Sequence, residues 1–178
     1  MKKYLFLFAL AISNLTAQAQ FIKAELVASG LTCSMCSFAT QKQLQTVPYI
    51  DSIGTDLDHT TFMLYFKKDM PMDFNLLKAR VEDAGFSVAS LVLTFRFDNQ
   101  KVDNNYHLAY RENLFHFLDA KTQTLNGNQK LKMVDKGFLS EKQFKKYKKI
   151  AVEHAHPEAD KATEAIRVYH VVLLKNET

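Results

Sequence analysis

The chain is poor in the residues on which small exported domains and most enzymes depend. Only two cysteines, Cys33 and Cys36, occur in 178 residues, whereas a small secreted fold held by disulfides carries several, spread along the chain to close long loops. A bond inside Cys33-Ser34-Met35-Cys36 would close a very short loop and add little chain-entropy stabilisation. The pair therefore reads as chemical rather than structural. Pro48, Pro71 and Pro157 are the only prolines, and none is placed to face the thiols in cis as a thioredoxin-like fold requires. The five glycines make no phosphate-cradling loop. No Ser-His-Asp arrangement or paired-carboxylate motif is legible, so no enzymatic activity is expected.

A strong charge of one sign is lacking too, as is a long apolar run. Lys2 and Lys3 precede an apolar stretch from Tyr4 to Ile12, and Ala17-Gln18-Ala19 follows as a small-x-small cleavage signal. Residues 1–19 are expected to be a secretory signal peptide, cut after Ala19. The stretch falls well short of the roughly 20 residues that span a bilayer, and no cysteine near the cleavage point invites lipid attachment. The mature chain would be periplasmic or secreted, with no membrane span. Losing Lys2 and Lys3 lowers the basic count from 23 to 21 against 19 acids, and the formal charge from +4 to +2. That balance argues against nucleic acid or anionic lipid as a partner. The local surplus at Lys142, Lys145, Lys146, Lys148 and Lys149 reads as a solvated helix face.

What is present is periodic. Phe21 to Ala28 alternates as a strand, ended by Ser29-Gly30. Cys33 to Val47 reads as a helix capped by Thr32 and closed by Pro48. Strands over Ile50 to Leu57 and Thr61 to Phe66 flank the turn Asp58-His59-Thr60. Asp73 caps a second helix, with Phe74, Leu77 and Val81 on one face and Gly85 as its stop. Ser87 to Phe97 is a further strand. The order βαββαβ predicts a ferredoxin-like α+β sandwich over residues 20–97.

Residues 98–178 are expected to form a smaller α+β domain. Tyr106 to Tyr110 and Leu114 to Leu118 look like strands, and Asn126-Gly127 signals a tight turn before Leu131 to Val134. Ser140 and Gln143 make a capping box for a helix bearing Phe144, Tyr147 and Ala151 on one face, limited by Pro157. Ile166 to Leu174 is a last strand. A small barrel crossed by the helix is one arrangement this order would fit.

A CxxC where a strand meets a helix sets two sulfurs beside the helix N-terminal amides, whose positive potential favours thiolate. Two thiolates with no histidine or further cysteine nearby suit a soft d10 ion of low coordination, namely Cu(I), Ag(I) or Hg(II). Zn(II) is the poorer fit, because its structural sites are closed by four ligands. Gly30-Leu31-Thr32-Cys33-Ser34-Met35-Cys36 resembles the GMTCxxC loop of the heavy-metal-associated domain family. That family contains copper chaperones, the metal-binding domains of copper-transporting ATPases and periplasmic mercury-binding proteins. The likeness runs on through Leu44, Pro48, Ile50, Asp56 and Ala84-Gly85-Phe86, and covers about residues 21–95.

The resemblance implies that Cys33 and Cys36 bind the metal, Cu(I) first, and that a partner protein removes it by thiolate exchange. A metal-transporting ATPase or an efflux component is the implied kind of partner. Phe86 falls at a loop position that is aromatic in many members and lies near the metal. Leu31 stands in for the usual methionine, a swap between apolar residues of similar size. Thr40 and Tyr49 depart from the branched apolar residue and the glycine common at their positions. In this fold the CxxC loop, the residue 58–60 turn and the residue 85–86 loop share one end of the sheet while the fourth strand leaves at the other. The C-terminal part is therefore expected to attach away from the thiols.

The alternatives are a mercury-binding scavenger and a thiol-disulfide redox module using the same pair. Met70-Pro71-Met72 offers thioethers for a second Cu(I) site or simple loop packing. His154 and His156 offer imidazoles for Cu(II) or Zn(II), or plain dipole complementation at a helix end. His59, in the turn at the thiol end, is the candidate third contact. His107, His116 and His170 alternate with apolar residues and read as sheet residues.

Overall fold

Alternation in the N-terminal half and helical spacing between its strands produce the elements predicted there, with small shifts at the ends. The computed structural model describes residues 19–56, 58–104, 106–153 and 167–175. Strand β1 covers Gln20–Ser29, helix α1 Ser34–Leu44, β2 Ile50–Asp56, β3 Thr61–Phe66 and α2 Phe74–Asp83. The long β4 covers Ser87–Val102, followed by β5 His107–Tyr110, β6 Asn113–Phe117, β7 Gln123–Met133, α3 Glu141–Glu153 and β8 Arg167–Leu173. The class is α+β, as the alternation of strand and helix patterns implied. Residues 1–18 of the expected signal peptide (1–19), together with His154, His156 and Pro157, lie outside the described residues.

One eight-stranded sheet carries everything, in the order β2-β3-β1-β4-β7-β8-β6-β5. The first four strands are antiparallel throughout, with Ala24 opposite Leu64 between β1 and β3, and Leu26 opposite Leu91 between β1 and β4. Helices α1 and α2 pack side by side. β4 is longer than its apolar run because its other edge is occupied: it pairs with β7 from Val92–Lys132 to Val102–Gln123. The division expected between residues 97 and 98 thus falls inside β4. β8 then lies antiparallel to β7 and parallel to β6, which makes the sheet mixed.

Two expectations for the C-terminal half need correction. Asn126-Gly127 makes no hairpin turn. Gly127 sits within β7 opposite Phe97, with φ of +69°, where the β4–β7 register shifts between Phe97 and Gln100. Positive φ at Gly127 and at Asn99 (+46°) absorbs the unequal residue count of a bulge, so the dipeptide bends a strand rather than reversing it. Nor does the half close into a barrel, because β5 ends an open sheet whose other edge is β2. Among the described residues no helix is long and apolar enough to cross a membrane.

The sheet curls strongly. Tyr110 of β5, four strands away from β4, still reaches Phe95 (5.4 Å between ring centroids) and Phe21 of β1 (6.3 Å). Inside the curl lies the N-terminal end of α2. The Phe74 ring meets Phe66 at 6.2 Å, Phe115 at 6.0 Å and Tyr169 at 5.3 Å, so residues of both halves build one core.

Met70-Pro71-Met72 runs into this joint. Met72 is fully buried, its N–H donates to the Glu112 carboxylate, and its carbonyl accepts from Asn113 Nδ2 at 3.0 Å. Arg111 donates to the Met70 carbonyl, and Arg167 pairs with Asp73 at 3.3 Å. Packing, rather than a second thioether site, accounts for Met72.

Candidate metal centre

The site begins with a turn that only glycine makes easily. Gly30 has φ of +86°, a region costly for residues with a Cβ. A Cβ there would also stand 3.6 Å from the Phe86 ring. The turn carries the chain off β1 into α1, and Leu31 packs back against the core.

Cys33 itself, not Thr32, is the N-cap of α1. Its backbone is extended, and its Sγ accepts a hydrogen bond from the Cys36 N–H at 3.3 Å. Its carbonyl takes the first helical bonds from the N–H groups of Cys36 and Ser37. A side-chain acceptor at this position stabilises a helix start by satisfying an otherwise orphaned amide. Here the acceptor is the reactive sulfur.

Both cysteines are free thiols; Cys33 is exposed and Cys36 half-buried. The Cys36 thiol donates to Cys33 and, with the Cys36 and Met35 backbone amides, holds the Cys33 thiol below its usual range. The same hydrogen bond, followed by desolvation and the charge of a Cys33 thiolate, pushes Cys36 above its usual range. Cys33 is thus the more readily ionised sulfur, and a cation held between the two would have to displace the Cys36 proton. Among the described residues no group of three or more His, Cys, Asp or Glu side chains converges. A cation on the two sulfurs would have low coordination, which suits a soft d10 ion and not a closed zinc site.

Strand register sets the neighbours. Val27 of β1 lies opposite Thr61, and Ser29 opposite Ser87, so the turn at residues 58–60 and the loop at 85–86 stand at the thiol end. His59 points its Nδ1 at Asp56 Oδ2, 2.9 Å away, and Asp56 raises its basicity. Its ring is thus tied to its own turn, and it joins no three-ligand group with the thiols.

Phe86 arrives through the end of α2. Gly85 N–H bonds to the Glu82 carbonyl at 2.8 Å and Phe86 N–H to the Val81 carbonyl at 3.1 Å, the paired bonds of a glycine-terminated helix. Packing accounts for Thr40 and Tyr49, the two residues that depart from the resembled pattern. Thr40 is buried with its hydroxyl on the Cys36 carbonyl at 3.1 Å. Tyr49 is buried against Phe66 and donates to the Asp73 carbonyl.

The C-terminal half is not remote from the thiols. β7 runs antiparallel to β4 and so returns to the end of the sheet from which β4 started; Leu139 bridges to Ser90. A cleft of about 340 Å³ separates the two walls. Ser29, Glu82 and Ser87 line one, and Lys136, Glu141 and Phe144 the other. The Ser29 and Ser87 hydroxyls are hydrogen-bonded to each other beneath the Gly30 turn. Nothing in the sequence pattern announced this return, because the Asn126-Gly127 bulge was legible only as a turn.

The remaining histidines lie elsewhere. His107, His116 and His170 hold matched register positions on β5, β6 and β8, with ring centroids 4.4 Å and 5.5 Å apart. His170 also binds Asp135 through Nδ1 at 2.8 Å. The His107 and His116 rings are nearly parallel, at 12°, and stacked rings cannot both direct a lone pair at one ion. They act as sheet residues. Comparison with known proteins identified no matching family and no matching curated protein.

Proposed function

We propose that this protein is an exported carrier of a soft metal ion, with Cu(I) held as cargo between Cys33 and Cys36 and passed to a protein partner. The observation that carries this reading is the hydrogen-bonded pair of free thiols, one exposed and one half-buried, with the exposed sulfur already capping a helix and its pKa held below the usual thiol range. That arrangement lowers the cost of forming the first thiolate, at Cys33, and leaves a cation bound there open to attack by a further thiolate. Membership of the heavy-metal-associated family, a periplasmic or secreted location and a metal-transporting ATPase or efflux component as partner belong to the same proposal. Hg(II) scavenging is its variant with a different cargo.

The opposed shifts of Cys33 and Cys36 also favour a second reading. A more acidic attacking thiol beside a harder-to-ionise resolving thiol is what disulfide exchange requires. Reduced protein reconstituted anaerobically with Cu(I), freed of excess metal and analysed for metal content separates the two. One equivalent retained by the native chain, and none by Cys33→Ser or Cys36→Ser, is the carrier result. No retained metal, with a reduction potential in the range of thiol oxidoreductases, would replace the carrier by the redox module. Competition between Cu(I) and Hg(II) for the same protein assigns the cargo.

A further inference from the structure

The positive excess of the mature chain is concentrated in one helix. α3 holds five lysines against two glutamates, and the rest of the mature chain carries a slight acidic surplus. Phe144, Tyr147 and Ile150 are partly buried against the core, which fixes the helix and leaves all five lysines exposed. The first turn of α3 lines the same cleft as Ser29 and Ser87, and Ser29 is the last residue before the Gly30 turn that leads to the thiols. α1, which Cys33 caps, presents Met35, 71% exposed, and Phe38, 52% exposed, the two most exposed large apolar side chains among the described residues. An apolar contact beside a fixed positive field is the composition of a surface that meets a partner of opposite charge.

We propose that α3 is the electrostatic half of a docking surface at the thiol end: its lysines attract a protein partner whose facing surface is acidic, and Met35 and Phe38 supply the apolar contact. This rests on the reading that Cys33 exchanges its cargo with a partner, but not on which ion is carried. An anionic membrane is the weaker match, because the apolar side of α3 is already committed to the protein's own core and has nothing to insert into lipid.

The test uses the full chain, reduced and metal-free. The probe is a synthetic glutamate-rich peptide whose single cysteine is activated as a mixed disulfide with thionitrobenzoate, compared with its glutamine-rich counterpart. The Cys33 thiolate attacks the peptide sulfur, the peptide–thionitrobenzoate S–S bond breaks, and the departing coloured thiolate reports the rate. The acidic peptide should react about tenfold faster at about 10 mM salt and less than about twofold faster near 0.5 M, where screening extends to only a few ångströms. Replacing Lys142, Lys145, Lys146 and Lys149 by glutamine should abolish the preference, while replacing them by arginine keeps it. Both variants should retain the native circular dichroism spectrum.

Equal rates for the two peptides, or a preference surviving the glutamine variant, overturns the proposal. So does co-sedimentation with phosphatidylglycerol vesicles in the absence of any peptide preference, which would assign α3 to a membrane. Cu(I) retention is measured on the same preparations. A lysine-dependent preference without metal retention would refute the carrier and leave the acidic-partner surface standing.

Discussion

Replacing Phe74 by alanine tests whether the two halves of the chain are one cooperative unit. Phe74 starts α2, in the half that bears the thiols, yet it is fully buried and two of its three ring partners, Phe115 and Tyr169, belong to β6 and β8. Truncating a buried phenylalanine costs about 3–5 kcal/mol, from lost transfer energy and the cavity left behind. A domain of this size has about 5–15 kcal/mol in total, so the variant should remain folded with its melting temperature lowered by roughly 10 °C.

The discriminating assay is amide hydrogen exchange followed peptide by peptide in β1 and in β8. With a shared core, the slowest amides of both strands exchange through the same global opening, and both should speed up by about 10² to 10³-fold. Phe115→Ala should reproduce the pattern from the other side, and the double variant should cost less than the sum of the two because the rings touch. If β8 peptides keep their native protection in Phe74→Ala while β1 loses its own, the halves open independently and the single-core account fails.

Two further outcomes follow from specific contacts. Glu25 of β1 binds Lys23 at 2.8 Å and, across β4, Lys130 of β7 at 2.9 Å. Burial raises its pKa, but the two lysines outweigh it and the net shift is downward. Its contribution is therefore present above the unfolded carboxyl value and lost as pH falls through the folded one; Glu25→Gln should cost roughly 0.5–1 kcal/mol at neutral pH. Urea midpoints of variant and native chain should converge as pH falls through the folded carboxyl value, and a gap that persists once the carboxyl is protonated would contradict this. Gly85→Ala and Gly137→Ala both force a Cβ onto a residue with φ near +90° and should each cost about 1–2 kcal/mol. Gly137→Ala should cost slightly more, since its Cβ lands 2.6 Å from Lys78 Cδ, a flexible side chain, while Gly85 meets nothing; an unchanged melting temperature in Gly137→Ala would refute the strain argument.

Local chemistry was written in the sequence because local chemistry depends on near neighbours. Two cysteines three apart at a strand-to-helix junction put both sulfurs beside the first amides of α1, although the cap itself is Cys33 and not the Thr32 that the sequence suggested. In the same way Asp73 caps α2, with Asn75 N–H on its Oδ1 at 3.0 Å, and Gly85 ends it. The alternation of the first four strands likewise sufficed to bring the CxxC loop, the His59 turn and Phe86 to one end.

What only the tertiary structure decided are matters of partner choice between distant segments. β4 extends to Val102 because β7 completes its hydrogen bonds, and Asn126-Gly127 bends rather than turns because Phe97 and Leu125 hold ladder positions on either side of it. Met72 is buried because Glu112, just before β6, and Asn113, its first residue, meet its backbone, a match no short-range pattern encodes. By the same return of β7, the first turn of α3 comes to share a cleft with Ser29, more than a hundred residues earlier in the chain.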